Sequence, residues 1–263
     1  MQGFLLSSRA FLRYVDLPGT APACVYLHGL GLSSLATYTR VVSEPGLSRR
    51  RSILVDFLGC GFSDRPIEFG YSLEDHAQTV AALLDHLGLE QCAVIGHSFG
   101  GSVAVTLAAL RPDLVGQLLL AEALLDPGGG ETSRGIAGQS EAEFCASGYQ
   151  SLLDEVRADA LSGDPLSIAV TGGFNAVAPF ALYRCAVGLV RGTQPTMRQR
   201  LLALTIPRTY FFGQMSLPNP DTEALPAAGI AVRVLPGAGH GMMWDDPSGF
   251  AAALDRALEH APV

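Results

Sequence analysis

The segment Gly96-His97-Ser98-Phe99-Gly100-Gly101 lies directly between an apolar run, 92–95, and a stretch of helical period, 101–110. A chain that leaves a strand and enters a helix this quickly must turn sharply. Such a turn has no room for Cβ atoms two positions either side of its apex, so the glycines at 96 and 100 make it possible. The apex, Ser98, is pushed out over the edge of a sheet at the amino end of a helix, where the dipole favours a nearby anion. G-x-S-x-G between strand and helix is the geometry that presents a nucleophile. It ties the chain to an architecture in which strands and helices alternate.

The remaining pattern agrees. Short apolar runs at 23–27, 52–55, 92–95, 117–120, 209–212 and 231–235 read as strands covered on both faces, hence a parallel sheet. Helical periods occupy 73–87, 101–110 and 248–260, so the expectation is an α/β doubly wound architecture with a mostly parallel central sheet and helices on both faces. The alternation breaks after Asp126 with Pro127-Gly128-Gly129-Gly130, and helices are expected at 141–147, 149–161 and 179–190. We therefore expect a core of 1–126 and 201–263 and an inserted helical lid of 127–200. Phe144, Phe174, Val177, Phe180 and Leu182 should give the lid an apolar character that suits a small or medium uncharged substrate. The run Arg49-Arg50-Arg51 reads as a solvated turn before a strand.

Composition removes several function classes. All 17 cationic residues are arginine, so Schiff-base chemistry, covalent pyridoxal attachment and a P-loop lysine are excluded. A net charge of −8 argues against a nucleic-acid partner, whose footprint is basic. No HExxH, His/Cys cluster, calcium loop or dinucleotide fingerprint is present, so no metal or cofactor is expected. The five cysteines have no CxxC spacing and read as buried free thiols of a reducing compartment. The first ten residues lack the basic lead and apolar length of a secretory leader. The charge-free stretch 165–183 is broken by Gly172-Gly173, Asn175 and Pro179, which suits a buried or pocket-lining segment better than a membrane span. A cytoplasmic protein, monomeric or homodimeric, is expected, with no membrane contact.

Two further segments supply partners for Ser98. His28-Gly29-Leu30-Gly31 follows the strand 23–27, and its small residues can turn backbone N–H groups towards the nucleophile. The N–H groups of Leu30 and Phe99 are then candidates for an oxyanion hole, with His28 orienting the loop. Gly237-Ala238-Gly239-His240-Gly241 follows the last expected strand, and of the six histidines His240 has the placement of a general base. His76 and His86 fall on a helix among polar neighbours, His97 points away from Ser98 within the elbow, and His260 is near the chain end.

With Asp56-Phe-Leu-Gly59-Cys-Gly61-Phe-Ser63-Asp64, which looks like the D-x-x-G-x-G-x-S loop of that group, the chain resembles the α/β-hydrolase superfamily in its lid-bearing serine esterase-like branch. The resemblance implies a Ser–His–acid triad. It departs at one point: where the acid often stands, in a pattern like G-x-x-D, this chain has Gly213-Gln214-Met215-Ser216. The resemblance offers a second position, at the end of the strand after the nucleophile helix, and Glu122 stands there. Asp221 is the next candidate, Asp126 a weaker one, and Asp245 and Asp246 look like the cap of the terminal helix. The resemblance implies a serine hydrolase acting on a carboxylic ester, thioester or lactone through an acyl-enzyme. A carbon–carbon bond hydrolase would use the same residues. Haloalkane dehalogenases and epoxide hydrolases of similar fold carry a carboxylate in the elbow, which Ser98 excludes. A binding protein with a vestigial triad is the reading from another class.

Overall fold

The computed structural model describes residues 1–259. His260, expected to close the last helix, and positions 261–263 of the expected core lie outside the described residues. Eight strands, β1 (Gln2–Leu5), β2 (Phe11–Leu17), β3 (Thr20–Leu27), β4 (Arg50–Val55), β5 (Cys92–His97), β6 (Val115–Ala121), β7 (Arg208–Gly213) and β8 (Ala231–Leu235), form one sheet in the order β1-β2-β4-β3-β5-β6-β7-β8. β2 runs antiparallel to β1 and β4; every other pair is parallel.

The core helices are α1 (Ser34–Val42), α2 (Leu73–His86) and α3 (Phe99–Leu110). Between β6 and β7 the chain is helical: α4 (Glu131–Ala137), α5 (Glu141–Glu143) running into a π turn at Phe144–Gly148, α6 (Tyr149–Ala160), α7 (Pro165–Phe174), α8 (Pro179–Arg191) and α9 (Met197–Ala203). The chain closes with α10 (Asp221–Ala227), α11 (Met242–Asp245) and α12 (Pro247–Glu259).

Alternation along each strand sends neighbouring side chains to opposite faces. Val25, Leu27, Ile53, Val55, Val94, Leu118 and Leu120 bury against α2 and α3. Cys24, Tyr26, Leu54, Ala93, Ile95 and Leu119 bury against α1 and α12. Both faces of the central strands are therefore apolar, which is why they read as unbroken runs. α2 starts at Ser72, whose hydroxyl accepts from the Asp75 N–H while Asp75 accepts from the Ser72 N–H.

Several elements depart from the expectation. β1, β2, α1, α4, α7, α9, α10 and α11 are not among the expected elements. β2 buries only Leu12 and Tyr14 and places Arg13 and Asp16 between and beside them, so it lacks the apolar run of a central strand. Arg50 and Arg51 open β4 instead of forming a solvated turn: Arg50 pairs with Asp255 at 3.0 Å and Arg51 with Asp16 at 2.8 Å. The charge-free stretch divides into α7 and α8, and no described helix is long and apolar enough to cross a membrane. All five cysteines are free thiols, but Cys145 is exposed, contrary to the expectation that they are all buried.

His76 also departs from its expected polar setting. It is fully buried on the inner face of α2 against the rings of Phe57, Phe69, Tyr71 and Phe99. Burial, helped by His28, pushes its pKa from 6.5 down to about 3. The unfolded chain then binds a proton between those values that the native state refuses. The stabilisation is whole above pH ~6.5 and is lost as pH falls towards ~3, at ~1.4 kcal/mol per pH unit. We expect the urea midpoint to fall between pH 7 and pH 5, with roughly 2 kcal/mol of the loss due to His76. His76→Phe, which keeps an aromatic ring there, should flatten that acid limb. Equal pH slopes in parent and variant would refute the assignment.

Candidate active site

Ser98 stands between β5 and α3 with φ +51°, in the left-handed region that a residue with a Cβ rarely adopts. Its N–H is held by the Ala121 carbonyl at 2.9 Å. The turn is as tight as the sequence implied. A Cβ on Gly96 would lie 2.5 Å from the Gly100 carbonyl oxygen, and one on Gly100 would lie 2.3 Å from that of Leu27. Neither contact can be relieved by rotating a side chain, because the opposing atoms are backbone.

The His28-Gly29 loop leaves β3 beside this turn. His28 is buried and both ring nitrogens are used: Nδ1–H donates to the Gly29 carbonyl at 2.8 Å, and Nε2 accepts from the Phe57 N–H at 3.0 Å. Burial lowers its pKa, so the ring is a neutral strut and not a base. Gly29 and Leu30 reach the wall of the cavity that holds Ser98. Phe99 is the first residue of α3, so its N–H has no acceptor inside the helix.

His240 comes from the loop between β8 and α11, Glu122 from the residue directly after β6. β6, β7 and β8 are successive parallel strands, so the chain leaves β6 at Glu122 and β8 towards His240 along the same edge of the sheet. His240 Nδ1–H donates to Glu122 Oε2 at 2.7 Å, within the ~2.6–3.2 Å expected of a base and its orienting acid. Glu122 Oε1 accepts from the Gly213 N–H at 2.8 Å. Burial pushes the Glu122 carboxyl up, but the His240 hydrogen bond and charge, with the Gly213 N–H and the Ser216 hydroxyl, outweigh it and hold the pKa below the ordinary value. Ser216, at the position where the commoner acid often stands, thus lies next to the Glu122 carboxyl. Glu122 itself has φ +44°. A proton on Nδ1 leaves Nε2 of His240 as the nitrogen that can accept one. Ser98 and His240 line one cavity of about 670 Å³, with no hydrogen bond between Ser98 Oγ and the His240 ring among the described residues. Such bonds are often long in unliganded sites.

The other acids are placed elsewhere. Asp221 and Asp126 both pair with Arg198, accepting from Nη1–H at 2.8 Å and from Nε–H at 2.9 Å respectively, and neither bonds to His240. Asp246 caps α12 by accepting from the Gly249 N–H at 2.9 Å, but Asp245 does not share that task. It accepts from the Gly239 N–H at 2.8 Å and so pins the His240 loop.

Sequence reasoning missed His97. It lies under His240 with ring centroids 4.7 Å apart, and its Nε2–H donates to the His240 carbonyl at 3.0 Å. Burial, then the neighbouring His240, push its pKa down to about 3, so the ring is held neutral as a donor. Its Nδ1 faces Gly29, where an added Cβ would lie 2.9 Å away. One side chain therefore touches the elbow, the His28 loop and the His240 loop. Nothing at position 97 in the sequence marks this.

The helices between β6 and β7 supply Leu166, Val170, Phe174 and Leu189 to the cavity wall. Of the five residues expected to give the lid its apolar character, only Phe174 lines the cavity. Phe144, Val177 and Leu182 pack inside the helical insertion, and Phe180 packs against the main core. An apolar side chain is drawn first to a dry interior, and this insertion has a small core of its own.

Comparison with known proteins agrees with this geometry. Residues 22–163 match the family described as the alpha/beta hydrolase fold. Haloalkane dehalogenase 2 of Mycobacterium tuberculosis (strain ATCC 25618 / H37Rv) is 35% identical over 114 residues, 43% of this chain and 39% of that protein. A 2-hydroxymuconate semialdehyde hydrolase of Pseudomonas putida is 37% identical over 94 residues, 36% of this chain and 34% of that protein. The chain thus spans well under half the length of these curated relatives. In three dimensions it is similar to a thermophilic esterase from Thermogutta terrifontis (TM-score 0.82, 21% identity, 98% of both chains). It is also similar to an enol-lactonase from Burkholderia xenovorans LB400 (TM-score 0.81, 19% identity, 98% of this chain and 100% of that one). At those identities the likeness is one of fold. A tight strand–turn–helix elbow on the fifth strand of an eight-stranded, mostly parallel sheet, and a family match over more than half the chain, lead to one conclusion: the chain belongs to the α/β-hydrolase fold family.

Proposed function

We propose that this protein is a serine hydrolase of carboxylic esters, thioesters or lactones, working through an acyl-enzyme. The observation that carries the reading is the 2.7 Å contact between Glu122 Oε2 and His240 Nδ1 beside the cavity that holds Ser98. Ser98 Oγ attacks the carbonyl carbon while His240 Nε2 takes its proton. The oxyanion forms against the N–H groups of Leu30 and Phe99. Collapse breaks the bond to the leaving oxygen or sulfur, which takes the proton from His240. Water, deprotonated by the same nitrogen, attacks the acyl-enzyme, and the acid leaves as Ser98 recovers its proton. Glu122 keeps His240 in the Nδ1–H tautomer and balances its charge when protonated. His97 and Asp245 fix the loop that carries the base. The helical segment 127–200 acts as a lid whose inner wall favours a hydrophobic small-molecule substrate, and the free thiols suit a reducing, cytoplasmic setting.

The resemblance to the semialdehyde hydrolase supports a second reading, hydrolysis of a carbon–carbon bond next to a ketone, with the same residues and a carbanion as leaving group. The elbow residue separates both from dehalogenation, since Ser98 is no carboxylate. A fluorophosphonate should label one site, Ser98, and label it far more slowly in Glu122→Gln. An unlabelled parent protein would mean a binding protein on this fold. With labelling established, a panel of esters varied in acyl length and alcohol separates the ester reading from the carbon–carbon one.

A further inference from the structure

The cavity that holds Ser98 and His240 is lined by four carboxylates, those of Glu122, Asp126, Glu131 and Asp221, and by a single guanidinium, that of Arg198. With His240 neutral its wall carries a formal −3. Arg198 is the one arginine in that wall able to pair with a carboxylate on a substrate, and it is already engaged. Its Nε–H and one Nη2–H go to Asp126, and its second Nη2–H and one Nη1–H go to Asp221. Four of its five donors are therefore on carboxylates. Its backbone N–H donates to the Leu125 carbonyl at 2.8 Å, which fixes the start of α9 against the chain after β6. Asp221 is itself anchored, its N–H donating to Asn219 Oδ1 at 2.9 Å. Turning Arg198 to a ligand would strip two carboxylates of their partner inside the same cavity. Arg134 lies behind the wall with Nη1–H on the Gly129 carbonyl at 2.8 Å and is not part of the lining.

Resting on the hydrolase reading, we propose that this cavity discriminates against substrates that carry a carboxylate and accepts uncharged or cationic acyl groups, with Asp126 and Asp221 as the specificity-determining residues that withhold Arg198. The chemistry has a useful corollary. Cleavage of a neutral ester creates a carboxylate in the cavity, where the surrounding carboxylates favour its departure.

The test uses two substrates of one shape, the 4-nitrophenyl ester of glutaric acid and the same compound with its far carboxyl methylated. At low ionic strength the methylated compound should have kcat/KM at least ~10-fold higher, as expected for like charges held a few ångströms apart in a partly desolvated site. The gap should narrow in 0.5 M salt. Asp126→Asn, at an exposed side chain, removes one charge and leaves a single acceptor oxygen for the Nε–H and Nη2–H of Arg198, so at least one of these donors is released; the gap should narrow several-fold, chiefly by improving the acid. Asp221→Asn offers a second route to the same result. Affinity of Ser98→Ala for the two compounds, by calorimetry, should show the same order. Equal handling of the pair, or preference for the free acid, in turnover and in binding to Ser98→Ala overturns the proposal. If neither compound is turned over and Ser98 is not labelled, the hydrolase reading fails, and the affinities of Ser98→Ala still decide the charge preference.

Discussion

Ser98→Ala is expected to reduce ester turnover by on the order of 10⁴–10⁶-fold while leaving the fold as stable as the parent, within ~0.5 kcal/mol. The kinetic half of this rests on the role proposed for Oγ, which no other side chain in the cavity can take over: the other serines of the wall, Ser133 and Ser216, sit on the helical insertion and beside Glu122. The stability half rests on what Oγ touches. Ser98 caps α3 through no side-chain hydrogen bond, so deleting the hydroxyl leaves no buried partner unsatisfied. The positive φ is retained by alanine at the same cost. His240→Ala should lose a comparable factor, and the double variant little more, because members of one catalytic unit are not additive. Residual activity within tenfold of the parent in either single variant would remove that residue from the mechanism. Circular dichroism and the urea midpoint of Ser98→Ala check that the loss is chemical.

Glu122→Gln is expected to lower kcat by roughly 10⁴-fold, the size seen when the acid of such a triad loses its charge but keeps its shape. The geometry says why a neutral isostere fails. Glu122 accepts two hydrogen bonds, from the Gly213 N–H and from His240 Nδ1–H. A glutamine amide can keep its oxygen on Gly213, but its NH2 then meets His240 Nδ1. That nitrogen must become the acceptor, the ring proton moves to Nε2, and the nitrogen meant to deprotonate Ser98 is blocked. Asp221→Asn, which only weakens the Arg198 cluster, should leave kcat for a neutral ester within a few-fold of the parent. The reverse outcome, a silent Glu122→Gln and a crippling Asp221→Asn, would move the acid to the loop after β7. Since Ser216 stands at the Glu122 carboxyl, adding Ser216→Asp to Glu122→Gln should return part of the lost rate.

What could be read in advance, and what could not, divides by the range of the contacts involved. The elbow was legible because its strain is local: Gly96 and Gly100 are demanded by backbone atoms of the turn itself and of the adjoining strand end. The central strands were legible because burial on both faces leaves an unbroken apolar run. β2 was not, since an antiparallel strand near the sheet edge buries two side chains and leaves Arg13 among them. Arg50 and Arg51 looked solvated because their partners, Asp255 and Asp16, are 205 and 35 positions away. Asp245 looked like a helix cap because the six-residue return to Gly239 is made only when the loop closes on itself.

The sequence by itself determined the strained turn that carries the candidate nucleophile Ser98, the order of strand and helix around it, the loops that bear the candidate base and oxyanion donors, and the exclusion of lysine chemistry. Each follows from residue type and spacing within a few positions, where sterics and periodicity act. The resemblance pointed to Glu122 as the partner of His240, and the sheet brings them together; tertiary structure alone decided that His97 joins three loops, that Phe174 faces the cavity while Phe144 does not, and that Arg198 is held by Asp126 and Asp221. These contacts join positions from 23 to 143 apart along the chain or turn on which side of a small core a ring finds dry. Local sequence cannot encode them, because they exist only once the sheet has ordered β5, β6 and β7 side by side and brought their carboxyl ends to one edge.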